Sequence, residues 1–183
     1  MYIVVSSLHQ PNESLYERGV KVGFSKVAVK SGGLAKVKTC NYISNVQMTK
    51  EAIDNGYDFV INITDDGYLG EGATENMAFL TQENDLIFSS FDHTLRGTTL
   101  LRLQELSGEL VNLGLIREMK ESKQKKAQLM DAKEAFMIGT SLNALPISEV
   151  AGKPVGDGKP GKVAIAARNL LLQDQKVGGH RLI

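Results

Sequence analysis

Four short apolar runs, "DFVINI", "NMAFL", "DLIFSS" and "EAFMIGT", recur through the middle of the chain between turn-forming segments. Runs of this length bury well as strands and poorly as helices. A second period stands beside them. Leu103, Leu106, Leu110 and Leu113 recur at helical spacing over residues 98–113, and Val163, Ala166, Ala167, Leu170 and Leu171 do so near the end. A chain carrying both periods satisfies both by packing helices onto a sheet. The expected fold class is therefore mixed α/β.

The remaining elements follow from the same cues. Residues 2–6 read as a buried strand, broken by the polar stretch "HQPNESLYERG". Residues 19–29 read as a strand region with Val20, Val22 and Phe24 on one face, closed by "SGG". A short strand around Val37 would place Lys36 and Lys38 on a common face. Residues 43–55 read as a helix from the spacing of Ile43, Val46 and Ile53, with "DNG" as its stop. "TDDGYLGEGATE" and "TQEN" look like two reversals of an antiparallel sheet. "IREMKES" reads as an edge strand, "KKAQLMDA" as a short helix, and "KESKQKK" as a solvated turn. Residues 143–161 read as mostly loop, with a short hairpin around "EVAGKPV".

Composition narrows the function. At 183 residues the chain suits one domain, 1–183, with room for a sizeable core. Lys plus Arg and Asp plus Glu number 21 each, so no net field draws it to nucleic acid or to an anionic membrane. One cysteine, Cys40, excludes an intramolecular disulfide, and three scattered histidines lack metal-ligand spacing, so no metal is expected. No apolar run approaches the ~18 residues that suggest a membrane span, and no signal-peptide pattern opens the chain. The expected setting is cytoplasmic.

No single motif is diagnostic. "GEGATEN" lacks the spacing of a dinucleotide fingerprint, and "DGKPG" is no phosphate-binding P-loop. The order of four segments is more telling: a Lys-x-x-Asn-Tyr stretch before a helix, then "DDGYLGEGATENMAFL", then "LRGTT" opening a helix, then "FMIGTSLNALPISEVAGKPVGDGKPG". Together they closely resemble the fold-type IV, or class IV, pyridoxal-phosphate enzymes. That family includes branched-chain and D-amino-acid aminotransferases and aminodeoxychorismate lyase.

The resemblance implies a site. Lys38, three residues before Asn41, matches the lysine that forms the internal Schiff base with pyridoxal 5′-phosphate. Its amine can condense with an aldehyde, be displaced by substrate and then carry a proton. Lys36 is the fallback. Glu71 matches the glutamate facing the pyridine nitrogen, with Glu75 and Asn76 supporting its loop, and Tyr42 matches the tyrosine near the phenolic oxygen. Gly97, Thr98 and Thr99 match the phosphate turn, where free N–H groups at a helix N-terminus favour an anion. Thr140 completes that cup. Ser141 and Leu142 match the loop whose backbone N–H groups receive the substrate carboxylate.

The resemblance further implies a barrel-like mixed sheet with flanking helices, the large C-terminal domain of the class IV fold. The family's small N-terminal domain, which supplies an arginine to the cofactor phosphate, has no counterpart here. Arg96, beside the phosphate turn, could replace part of that charge. Exposed apolar surface is expected where the missing domain would pack. The implied activity is amino transfer between an amino acid and a 2-oxo acid by a homodimer. The alternatives are a lyase on the same scaffold and a cofactor-binding domain without turnover.

Overall fold

A computed structural model describes residues 5, 7, 10–30 and 32–177. Its centre is one eight-stranded mixed sheet. The strands are β1 (Val20–Phe24), β2 (Phe59–Ile61), β3 (Asn76–Leu80), β4 (Asp85–Ser89), β5 (Glu118–Ser122), β6 (Glu134–Gly139), β7 (Asn143–Val150) and β8 (Lys153–Pro154). They run in the order β2-β1-β7-β6-β3-β4-β5, with β8 paired to β7. The middle ladder β7-β6-β3-β4 is antiparallel, while β1 pairs parallel with both β2 and β7, and β4 with β5. The sheet is not closed, so the barrel-like expectation gives way to an open mixed sheet.

The central strands are apolar on both faces, and their period of two splits the core cleanly. Met77, Phe79, Met137, Leu145 and Ile147 pack on one side with Val20, Val22 and Leu129. Ala78, Leu80, Phe136, Ile138 and Ala144 pack on the other. That second face is covered by α3 (Thr98–Asn112) and α5 (Lys162–Val177), through Leu100, Leu103 and Leu110 of the former and Val163, Ala167 and Leu171 of the latter. α4 (Lys126–Met130) closes the first face through Leu129. No helix among the described residues is long and apolar enough to cross a membrane.

Several expectations need correction. The strand expected over residues 2–6 lies outside the described residues except for Val5, which is exposed and in no strand. The "polar break" contains α1 (Glu13–Arg18), N-capped by Asn12, whose side chain accepts the Ser14 N–H at 3.0 Å. It buries no residue fully, so it has no apolar period to read. β1 stops at Phe24, and there is no strand at Lys36–Lys38: Gly32–Lys36 form a single 3-10 turn, and both lysines are exposed. β2 and β3 do not pair across "TDDGYLGEGATE"; only a local Ile63–Leu69 bridge forms there. "TQEN" does join an antiparallel pair, β3–β4.

The largest correction is β7. Residues 143–150, expected mostly as loop, are an eight-residue strand inside the sheet, and 143–147 are all buried. Pro146 misled the reading. β1 pairs with β7 only from Ile147 onward, so at Pro146 one flank carries no ladder for the missing N–H to break. The hairpin that follows, β7–β8, does form around Ala151 and Gly152.

α2 (Ile43–Asp54) forms where expected but faces the other way. Met48 and Ala52 pack on Val60, whereas Ile43, Val46 and Ile53 are 69, 64 and 72% exposed. The spacing that revealed the helix thus belongs to its outer face. Leu103→Ala is therefore expected to cost ~2–5 kcal/mol in chemical denaturation, as for a buried leucine. Ile53→Ala should stay within about 0.5 kcal/mol. An equal loss from both would mean that the α2 stripe is covered in solution.

Candidate active site

The register of β3 and β6 builds the site. They are antiparallel with Asn76 opposite Ile138, so the chain enters β3 and leaves β6 at one end of the sheet. The start of α3, the start of α2 and the 3-10 turn converge on the same end. Between them lies a pocket of about 350 Å³. Lys38, Tyr42, Glu71, Asn76, Gly97, Thr98, Thr99 and Thr140 all line it, as does the fallback Lys36. Ser141 and Leu142 do not.

Glu71 lies on the buried wall. Its Oε2 accepts the Leu95 N–H at 2.9 Å and the Asn76 side-chain amide at 3.2 Å. Among the described residues, no lysine or arginine bonds to it directly. Burial pushes its pKa up to about 7, against the opposing pull of the Leu95 N–H and the Lys30 and Lys38 charges. A carboxylate so placed is suited to a cationic partner that has been removed from water.

The loop that holds Glu71 is fixed by Asn62, which sequence reasoning missed. Asn62 is buried; its Oδ1 accepts the Glu71 N–H at 2.9 Å, and its own N–H donates to the Glu71 carbonyl at 3.1 Å. A Cβ at Gly70 would collide with that Oδ1, so the first glycine of "GEG" is a close-approach position. The only sequence signal was an asparagine inside the apolar run "DFVINI". Glu75 turns back on its own loop, accepting the Thr74 N–H at 3.0 Å and the Thr74 hydroxyl.

At the other end, Gly97 caps α3 with no side-chain cap bond, and the first turn carries no acid. The Thr98 and Thr99 N–H groups therefore lack intrahelical partners, and both residues line the pocket. Thr99 and Thr140 bring their hydroxyls within 3.4 Å of each other. A Cβ at Gly97 would collide with Asn76 Oδ1. Such an arrangement is suited to an anion.

The amines stand beside it. Lys38 Nζ donates to the Tyr42 hydroxyl at 3.2 Å and sits 5.9 Å from the ring centroid. Lys30, also missed, places its Nζ 5.7 Å from the same ring and donates to Asn45 Oδ1 at 2.9 Å. Asn45 in turn donates to the Ala73 carbonyl, which joins α2 to the Glu71 loop. Arg96 lies on the rim with its guanidinium 5.0 Å over Phe91. Four cationic side chains, Lys30, Lys36, Lys38 and Arg96, line the pocket against two carboxylates, Glu71 and Glu75. In a chain of balanced charge this local excess suits a dianion.

The turn after Thr140 departs from expectation. The Leu142 N–H is engaged with the Gly139 carbonyl at 3.3 Å, so it is not free to receive a carboxylate. Among the described residues no His, Cys, Asp and Glu cluster could hold a metal ion.

The chain is similar to known proteins. The family model described as amino-transferase class IV matches residues 1–150. The chloroplastic D-amino-acid transaminase of Arabidopsis thaliana is 32% identical over 161 residues, 87% of this chain and 43% of that protein. The branched-chain-amino-acid aminotransferase of Escherichia coli strain K12 is 34% identical over 137 residues, 74% of this chain and 40% of that one. A solved T.th. branched-chain amino acid aminotransferase with pyridoxamine 5′-phosphate superposes with a TM-score of 0.80 at 26% identity, over 88% of this chain and 52% of that chain. The chain thus spans about half the length of the relatives it matches.

The Glu71 environment makes a prediction that needs no ligand. An unfolded glutamate titrates near 4.5 and this one near 7, so the folded protein binds the proton more tightly. Stability is then lost as pH rises through that window, by on the order of 3 kcal/mol for this group. Melting temperature should fall from pH 5 to pH 8 in the parent and fall less in Glu71→Gln. Parallel pH profiles would show that the carboxyl is not held in its protonated form.

Proposed function

This chain belongs to the class IV aminotransferase family, and on that premise we propose that its pocket holds pyridoxal 5′-phosphate and serves amino transfer between an amino acid and a 2-oxo acid. The observation that carries the reading is the convergence of three anchors on one pocket: an uncapped helix N-terminus, a buried carboxylate and an exposed lysine amine. These match a phosphorylated ring that is cationic at one end and bears an aldehyde at its side.

When bound, the cofactor supplies an electron sink that makes the substrate Cα proton removable. The protein does the rest. Lys38 would be the amine that holds the aldehyde, and its free amine would move the proton at the substrate Cα. The Tyr42 hydroxyl orients that amine. Glu71 would favour the protonated form of the ring nitrogen by charge attraction. A cation opposite Glu71 also reverses the burial effect that now raises its pKa. Gly97, Thr98, Thr99 and Thr140 receive the phosphate, with Lys36 and Arg96 adding charge at the rim. Asn76 ties the two ends together by bonding both Glu71 and the Leu95 carbonyl. For the substrate carboxylate we retain the Ser141 N–H, because that of Leu142 is already engaged.

Residues 1–183 are read as the cofactor-binding domain of the transaminase. A homodimer is the expected assembly, and the exposed Ile43, Val46 and Ile53 stripe, which adjoins the pocket through Tyr42 and Asn45, is an apolar face it could use. The one cysteine, Cys40, is exposed and unpaired, which suits a reducing, cytoplasmic setting.

The test is chemical. Pyridoxal 5′-phosphate added to the chain and fixed with borohydride should label the peptide containing Lys38, and Lys38→Ala should abolish the label while Lys36→Ala keeps it. A label on Lys36 or Lys30 would overturn the assignment. Alanine or glutamate of either hand should then convert the bound cofactor to its pyridoxamine spectrum; release of pyruvate from a different substrate without that conversion would favour a lyase. Gly97→Ala should weaken cofactor affinity at least ~10-fold, the scale of losing one charge-assisted hydrogen bond, measured by fluorescence titration.

A further inference from the structure

The turn between β6 and β7 carries Thr140 and Ser141 of the proposed site and is closed at its base by the Gly139–Asn143 pair. Asn143 sits in the left-handed region at φ +54°, unfavourable for a residue with a side chain. The Gly139–Leu142 bond across the turn is long, at 3.3 Å. Two side chains from other elements hold the turn as well. The Tyr16 hydroxyl, on α1, donates to the Leu142 carbonyl at 2.9 Å. Gln175, on α5, donates to Asn143 Oδ1 at 2.8 Å.

Tyr16 is itself clamped. The Arg168 guanidinium of α5 stacks 3.6 Å over its ring, and Arg168 also bonds Glu13 of α1 at 2.6 Å. Burial raises the Tyr16 pKa, and the Arg168 charge opposes this only in part. The phenol therefore keeps its proton and stays a donor through the neutral range. α1 buries no residue completely; Leu15 and Tyr16 pack against the core, and the Tyr16 hydroxyl supplies its hydrogen bond to the turn.

We propose that Tyr16 is a positioning residue for the substrate turn: through the Leu142 carbonyl it sets the orientation of the Ser141 N–H toward an incoming carboxylate. The carboxylate part rests on the function proposed above; the anchoring of the turn does not. A purely structural anchor would loosen β7 and the cofactor site together. A positioning residue affects the turn and the carboxylate alone.

Tyr16→Phe in the full chain removes the hydroxyl and keeps the stacked ring. In the ligand-free protein, amide exchange at Ser141 and Leu142 should quicken about fivefold, the factor equivalent to one net hydrogen bond of about 1 kcal/mol. Exchange in the interior of β6 and β7 should not change. In the cofactor-loaded protein, 4-methylvalerate, the acid seen bound to a branched-chain relative, should bind about fivefold more weakly while pyridoxal 5′-phosphate affinity is unchanged. Unchanged exchange at the turn overturns the proposal whatever the ligand data show. Loss of cofactor affinity in step with the carboxylate also overturns it, in favour of a general structural role. Faster exchange in a chain whose parent form binds no 4-methylvalerate leaves the anchoring intact and refutes the carboxylate role of Ser141.

Discussion

The site depends on a single asparagine side chain. Asn76 opens β3, so its backbone is fixed by the ladder to β6. Its amide then donates to Glu71, five residues earlier, and to the Leu95 carbonyl, nineteen residues later. One rigid strand end thus locates the carboxylate wall and the turn that opens α3. Gly97 approaches its Oδ1 so closely that no side chain fits between them. Replacing Asn76 by an apolar residue would leave the Leu95 carbonyl with only the Gly97 N–H and Glu71 Oε2 with only the Leu95 N–H, and would untie the two ends of the pocket.

Electrostatics gives that geometry its chemical sense. A carboxylate held at a pKa near 7 by burial is an unfavourable arrangement in the ligand-free protein. The uncapped α3 terminus is unfavourable for the mirror-image reason, having donors without an acceptor. A ring with a cationic nitrogen and an anionic phosphate, the partner proposed above, would compensate both. The same logic explains the surplus of lysine and arginine at the rim of a chain whose overall charge is zero.

Much of this was legible in the sequence, but unevenly. β3, β4 and β6 announced themselves because they are apolar on both faces, and α3 and α5 because most of their leucine and alanine stripes face the sheet, with Leu113 exposed past the end of α3. α2 was found through residues that prove to be its exposed side, so periodicity located the helix without orienting it. β7 was hidden by Pro146, whose cost depends on where the neighbouring strand starts to pair, a fact no local window contains. The lining of the pocket was read from motif order, whereas Asn62 and Lys30 were not: each acts through a partner distant in sequence, and neither residue type in its own run signals that partner.

The choice between the two lysines shows how the levels interact. The expectation of a strand around Val37 made Lys36 and Lys38 equivalent in facing and left motif spacing to separate them. The structure has no strand there, and the 3-10 turn ends at Lys36, so the two side chains leave the backbone in different local conformations. Only Lys38 reaches the Tyr42 hydroxyl. That contact is an independent reason for preferring it, because an amine already directed by a tyrosine at the mouth of α2 loses less side-chain freedom on reaching a ligand than one free in solvent. On the proposed reading, Lys36 would act only as a diffuse positive charge near the start of α3, where position matters less than sign.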